Sequence, residues 1–123
     1  MRAGRRAEQL ACNFLIEQGL ECLCRNHRCR RGEIDLVMRD QRCLIMVEVR
    51  YRATSCWGSP AQSITHEKRR RLARAALDYL RVTPRYAEWP LRFDLVSITG
   101  DLARPRLEWS RAAMEFDGEE DGW

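Results

Sequence analysis

The sequence predicts an α/β fold: a single domain with a central mixed β-sheet flanked by helices. Three observations point to it. Apolar residues recur at helical spacing near the N-terminus and again past the middle of the chain. Short apolar runs of strand length lie between and after those two segments. The resulting order is helix, three strands, helix, then one or two strands, which suits one sheet packed between helices. With 123 residues there is enough chain for one core and no separate substrate domain. The expected domain covers residues 1–116, and residues 117–123 form an acidic tail.

The first helix is expected over about residues 4–18. Ala7, Leu10, Ala11, Phe14 and Leu15 mark its buried face, and Gly19 stops it. Leu20 to Arg25 reads as a short strand. A basic turn follows from Arg25 to Gly32. Two apolar runs, Glu33–Met38 and Cys43–Arg50, then form a hairpin around residues 39–42. Gly58, Ser59 and Pro60 break the chain. The second helix occupies 66–81, with Thr65 as its N-cap and Leu72, Ala75, Ala76, Tyr79 and Leu80 facing the core. Leu91–Ile98 is a further strand, and Arg106–Trp109 a short last one.

Charge narrows the range of partners. The formal net charge is +4. Setting aside Asp117, Glu119, Glu120 and Asp121 leaves 22 basic residues against 14 acidic ones. Such a balance favours a polyanion, or is simply a basic solvated surface. Lys68 is the only lysine; every other cation is arginine. No stretch approaches the roughly 20 apolar residues of a membrane span. The basic N-terminus runs directly into acids, unlike a signal peptide. A cytoplasmic protein with no membrane partner is therefore expected. Cys22, Cys24, His27 and Cys29 cluster, but a second ligand pair is missing and zinc is not expected. Cys22 and Cys24 are instead expected to lie on one face of a strand.

The chemistry concentrates in two segments, Gly32-Glu33-Ile34-Asp35-Leu36-Val37 and Val47-Glu48-Val49-Arg50. Each places an acid within an apolar strand, where a lone carboxylate costs several kcal/mol. Side chains alternate along a strand. If the hairpin loop has even length, Asp35 and Glu48 fall on the same side of the sheet. Two such carboxylates with a backbone carbonyl make a hard oxygen site suited to Mg²⁺ or Mn²⁺. Arg50, two positions after Glu48, shares its face and can reach an attacking water or a phosphate. The alternative is a salt-bridge ladder. Two acid-bearing strands beside a basic loop and a basic helix favour a site.

Glu8 in an Ala-Glu-x-x-Ala helix, Asn26-x-Arg28, Gly32 to Leu36, Val47 to Arg52, Ile64 to Lys68, and Arg92 to Val96 form a further set of motifs. Together they resemble the YraN-like family of small bacterial proteins. The resemblance spans about residues 4–109. That family is similar to a branch of the PD-(D/E)XK nuclease superfamily, closest in layout to archaeal-type Holliday junction resolvases. The resemblance implies a restriction-endonuclease-like fold and a metal-dependent cut in structured or branched DNA. It implies Asp35 and Glu48 as metal ligands, the Val49 carbonyl as a further ligand, and Glu8 as a helix-borne acid that helps hold the metal or its water. It also implies a homodimer, since two symmetric cuts need two sites. Arg50 stands where the superfamily usually has lysine, and arginine cannot give up its proton near neutral pH. A DNA-binding protein with the nuclease fold and weak or lost catalysis is therefore the alternative. Lys68 offers a compensation, because the superfamily's lysine can migrate onto a helix. It is otherwise a surface residue in a charged helix.

The expected nucleic-acid contacts are Arg28, Arg30 and Arg31 in the basic turn, Arg52 after Arg50, and Lys68, Arg70 and Arg74 on the second helix. Arg70, Arg74 and Arg81 form a stripe opposite the apolar face, with Arg71 at its edge. His27 and His66 read as polar surface groups, and Asp94 as a structural acid paired with an arginine. Gln62 is placed near the site by its position. Trp57 is a candidate for base stacking or for packing under its loop.

Overall fold

The computed structural model describes residues 4–53 and 64–114. Gln62, Trp57, the Gly58 to Pro60 break and the acidic tail lie outside the described residues. The order is α1 (Arg5–Glu17), β1 (Glu21–Cys29), β2 (Gly32–Asp40), β3 (Cys43–Arg52), α2 (His66–Val82), a short 3-10 turn (Pro84–Tyr86), β4 (Leu91–Thr99) and β5 (Arg106–Met114). The strands make one five-stranded sheet in the order β1-β2-β3-β4-β5. Only the β3–β4 pair is parallel, because α2 carries the chain back between them. The sheet is thus mixed, as expected.

One helix covers each face. Ala7, Ala11 and Leu15 of α1 pack on Leu36, Met38, Ile45, Val47, Val49, Val96 and Ile98. Leu72, Ala75, Ala76 and Tyr79 of α2 pack on Ile34, Val37, Leu44, Met46 and Phe93. Gly19, at φ 100°, ends α1 in a left-handed conformation that glycine adopts without a Cβ penalty. Thr65 caps α2 by accepting the Lys68 N–H at 3.1 Å.

Three sequence expectations need correction. The basic turn after Arg25 is mostly strand: β1 runs to Cys29, leaving only Arg30 and Arg31 between β1 and β2. Its polar residues find partners there. His27 Nε2 meets Asp78 Oδ2 of α2 at 2.9 Å, and its ring abuts Tyr79 edge-on. It is therefore a link between sheet and helix rather than a surface group. Second, Cys22 and Cys24 do not share a face. A register shift between them sends Cys22 to the α1 side and Cys24 to the α2 side. Third, β5 continues five residues past Trp109. Apolar alternation does not carry that extension; Asp94 does. Its carboxylate receives Arg92 Nε and Nη2 at 2.9 and 2.8 Å, Trp109 Nε1 at 2.9 Å and the Ala112 N–H at 2.9 Å. Asp94 is thus the structural acid that the sequence suggests.

Gly32 lies against α2 so closely that a Cβ would overlap the Arg71 carbonyl. This contact sets how near β2 lies to the helix. Gly32→Ala should destabilise the fold by about 2–3 kcal/mol, because neither backbone can retreat without repacking. Asp94→Ala should cost about 3 kcal/mol, since it strands a guanidinium and two N–H donors. Urea denaturation of each variant beside the wild type measures both.

Candidate functional site

The β2–β3 hairpin turns through Gln41 and Arg42, so its loop has even length. Pairing runs from Asp40↔Cys43 to Leu36↔Val47 and stops. The next rung would set Asp35 opposite Glu48. Beyond it Val49 would face Ile34, but the Val49 N–H donates to Asp35 Oδ2 at 2.7 Å. The Asp35 carboxylate thus takes a backbone donor at the point where the two strands part. Alternation also breaks here. Ile34 packs with Val37 on the α2 side, whereas Leu36 and Met38 pack on the α1 side. Asn26, which lies opposite Asp35 in the β1 register, has φ 55°. A left-handed residue in one strand and broken alternation in its neighbour mark the same point.

Asp35 and Glu48 are 3% and 6% exposed, and the charge of each bears on the other. Asp35 is pushed up to about 8. Burial is the main cause, the Glu48 charge comes next, and the Glu8 charge adds a little; the Val49 N–H opposes them. Glu8 is itself buried, on α1. Glu48 stands on the α2 side of β3, in line with Leu44 and Met46. There Lys68 reaches down from α2 and sets Nζ 2.6 Å from Glu48 Oε2. Arg50 is half-buried. Burial holds its pKa below the ordinary guanidinium value; the Glu48 charge offsets this only in part, and the Arg52 charge adds to it.

Beside the acids opens a cleft of about 530 Å³ lined by Arg50, Tyr51, Arg52, Thr65, Glu67, Lys68 and Arg71. Four cations face one acid there. Of the sequence-predicted contacts, Arg52 and Lys68 belong to this cleft. Arg70 and Arg74 do not line it, and Arg28 is held by Glu33 at 3.2 Å. Arg30 and Arg31 are exposed at the β1–β2 turn. Arg71 was the residue missed as a cleft group. Its signal was available: Lys68 and Arg71 lie one turn before Leu72 and Ala75, in line with the buried stripe, so they point towards the sheet.

Among the described residues, no three or more His, Cys, Asp or Glu side chains gather around one metal position. The meeting pair is Asp35 and Glu48. Two carboxylates still suit an ion of the magnesium type, which keeps several waters of its own and prefers oxygen donors. Burial and the adjacent Glu48 charge both disfavour an ionised Asp35, and a divalent cation at the pair would relieve both. The donor set therefore fits Mg²⁺ or Mn²⁺.

Fold and site together define a small α/β protein, consistent with a restriction-endonuclease-like fold, with a buried carboxyl pair where two strands part. The profile of the uncharacterised protein family UPF0102 matches residues 7–98, and the chain belongs to that family. A UPF0102 protein of Nitrosococcus oceani is 43% identical over 114 residues, covering 93% of this chain and 92% of its own. A UPF0102 protein of Pseudomonas paraeruginosa is 45% identical, covering 91% of each chain. One from Pseudomonas aeruginosa is 46% identical over the same share of both. Among the described residues, no helix is long and apolar enough to cross a membrane.

The carboxyl pair has a signature in stability. An unfolded Asp35 ionises near its ordinary value, whereas the folded one holds its proton to about pH 8. The folded state is therefore favoured most below about pH 4, and that advantage fades as pH rises through about 8. Without divalent ions, stability should fall by about 4 kcal/mol between pH 5 and 8.5 from this group. Asp35→Asn, which keeps an acceptor for the Val49 N–H, should flatten the fall. Thermal melts across that range in chelator measure it.

Proposed function

We propose that this protein is a metal-dependent endonuclease that hydrolyses phosphodiester bonds in structured or branched DNA. The observation that carries the proposal is the buried Asp35–Glu48 pair joined, through the Lys68 ammonium on Glu48, to a cationic cleft that the same lysine lines. In this reading Asp35, Glu48 and the Val49 carbonyl hold Mg²⁺ or Mn²⁺, and Glu8 supports them from α1. The ion, when bound, supplies a Lewis acid that neutralises phosphate charge and acidifies water. Arg50, Arg52 and Arg71 hold the phosphate backbone at the cleft. Arg50 keeps its charge and therefore orients and stabilises rather than accepting a proton. Lys68, the single side-chain amine, lies beside Glu48 and lines the cleft, where its charge can help hold the phosphate and orient the attacking water. Water attacks phosphorus and gives up a proton to solvent, the bond to the leaving sugar oxygen breaks, and that oxygen takes up a proton from solvent. The resolvase likeness supports a homodimer that presents two such sites.

One observation favours a second reading, a DNA-binding protein with weak or no catalysis. Lys68 already neutralises Glu48 at 2.6 Å, and Arg50 replaces the usual lysine. A site balanced by its own cation can bind phosphate without a metal.

Incubation with a synthetic four-way junction, linear duplex and single strand, in Mg²⁺ or Mn²⁺, separates the two. Cleavage by the wild type should fall about a hundredfold or more in Asp35→Ala and in Glu48→Ala. Arg50→Lys should raise it. Cleavage that survives both alanine variants would overturn the site, and binding without cleavage would establish the second reading.

A further inference from the structure

The position of Lys68 carries a consequence beyond catalysis. Its ammonium is a cation already seated on one of the two acids, 2.6 Å from Glu48 Oε2. The side chain is 28% exposed, whereas that of Glu48 is 8% exposed, so the pair is shielded on the acid's side and open on the amine's. The same lysine lines the cleft with Arg50, Arg52 and Arg71. A long four-carbon stem from the first turn of α2 gives the ammonium two anionic destinations, Glu48 below and a phosphate in the cleft above. Its three N–H donors can turn to either, and which one it favours depends on what else holds the Glu48 charge.

We propose that Lys68 is a built-in counter-cation that competes with a divalent ion for Glu48 and passes to a DNA phosphate when the ion binds. This deepens the metal-dependent reading of the site and rests on it. In the metal-free protein the lysine holds Glu48 and is withheld from DNA. A divalent ion at the carboxyl pair repels the ammonium and releases it to the cleft, where it adds one phosphate contact. Metal and DNA binding are then coupled through one side chain, and each strengthens the other.

The test uses full-length protein and Mn²⁺ as the probe. Calorimetry of Mn²⁺ binding compares the wild type with Lys68→Gln and Lys68→Arg. Lys68→Gln should bind Mn²⁺ about tenfold more tightly, as loss of one competing charge at contact distance implies, while Lys68→Arg stays near the wild type. Circular dichroism identifies a variant that has failed to fold, and Lys68→Met, also neutral and long, then takes its place. Fluorescence anisotropy with a phosphorothioate duplex completes the experiment. Lys68→Gln should weaken DNA binding severalfold in Mn²⁺ and leave it unchanged in chelator. Equal Mn²⁺ affinities in wild type and neutral variant would overturn the competition while leaving the metal site standing. An equal loss of DNA binding with and without Mn²⁺ would overturn the hand-over. Failure of every protein to take up Mn²⁺, with or without DNA, would overturn both this inference and the metal-dependent reading.

Discussion

Two carboxyl groups inside a sheet cannot both be charged without positive charge next to them. That constraint organises this molecule. Asp35 and Glu48 meet where β2 and β3 separate, and each has a different answer to its burial. Asp35 takes a backbone N–H and holds a proton well above the usual carboxylate range. Glu48 takes an ammonium from the helix above. Neither arrangement is a cheap way to stabilise a fold. Apolar residues of similar size generally serve a core as well or better than a buried ion pair. An acid pair of this kind in a small domain therefore points to function rather than to folding.

The rest of the architecture holds that meeting point in place. Gly32 lets β2 lie against the Arg71 backbone, which fixes α2 over the acids at the height from which Lys68 can reach Glu48. His27 and Asp78 join β1 to the same helix one strand away. On the far edge, Asp94 collects donors from β4 and β5 and keeps the parallel β3–β4 pair bordered by a full-length strand. The site is thus built on strands and a docked helix rather than on loops, which favours precise placement of its groups.

Much of this was legible in the residues. Helical spacing located both helices and their buried faces, because a 3.6-residue period survives any detail of the surroundings. Strand parity, given an even hairpin loop, put Asp35 and Glu48 on one side, and they do meet. What escaped was set by tertiary contacts. The strand character of Asn26 to Cys29 depends on pairing with β2 and on Asp78 of α2, neither visible in a run of arginine and polar residues. The bulge that separates Cys22 from Cys24 has no sequence marker. The extension of β5 through Ser110 to Met114 rests on Asp94, eighteen positions before the Ala112 N–H that it accepts. The arginine stripe opposite the apolar face drew attention because it was long. The cleft instead uses the end of the apolar stripe, where Lys68 and Arg71 continue its line past the sheet.

The use of arginine almost everywhere has a practical side. With one lysine in the whole chain, the only side-chain amine sits on Glu48. Reagents selective for amines therefore address Lys68 alone among the side chains, and its reactivity depends on whether that amine is bound or released. The protein carries its own chemical reporter, placed by its composition at the point where its electrostatics are decided.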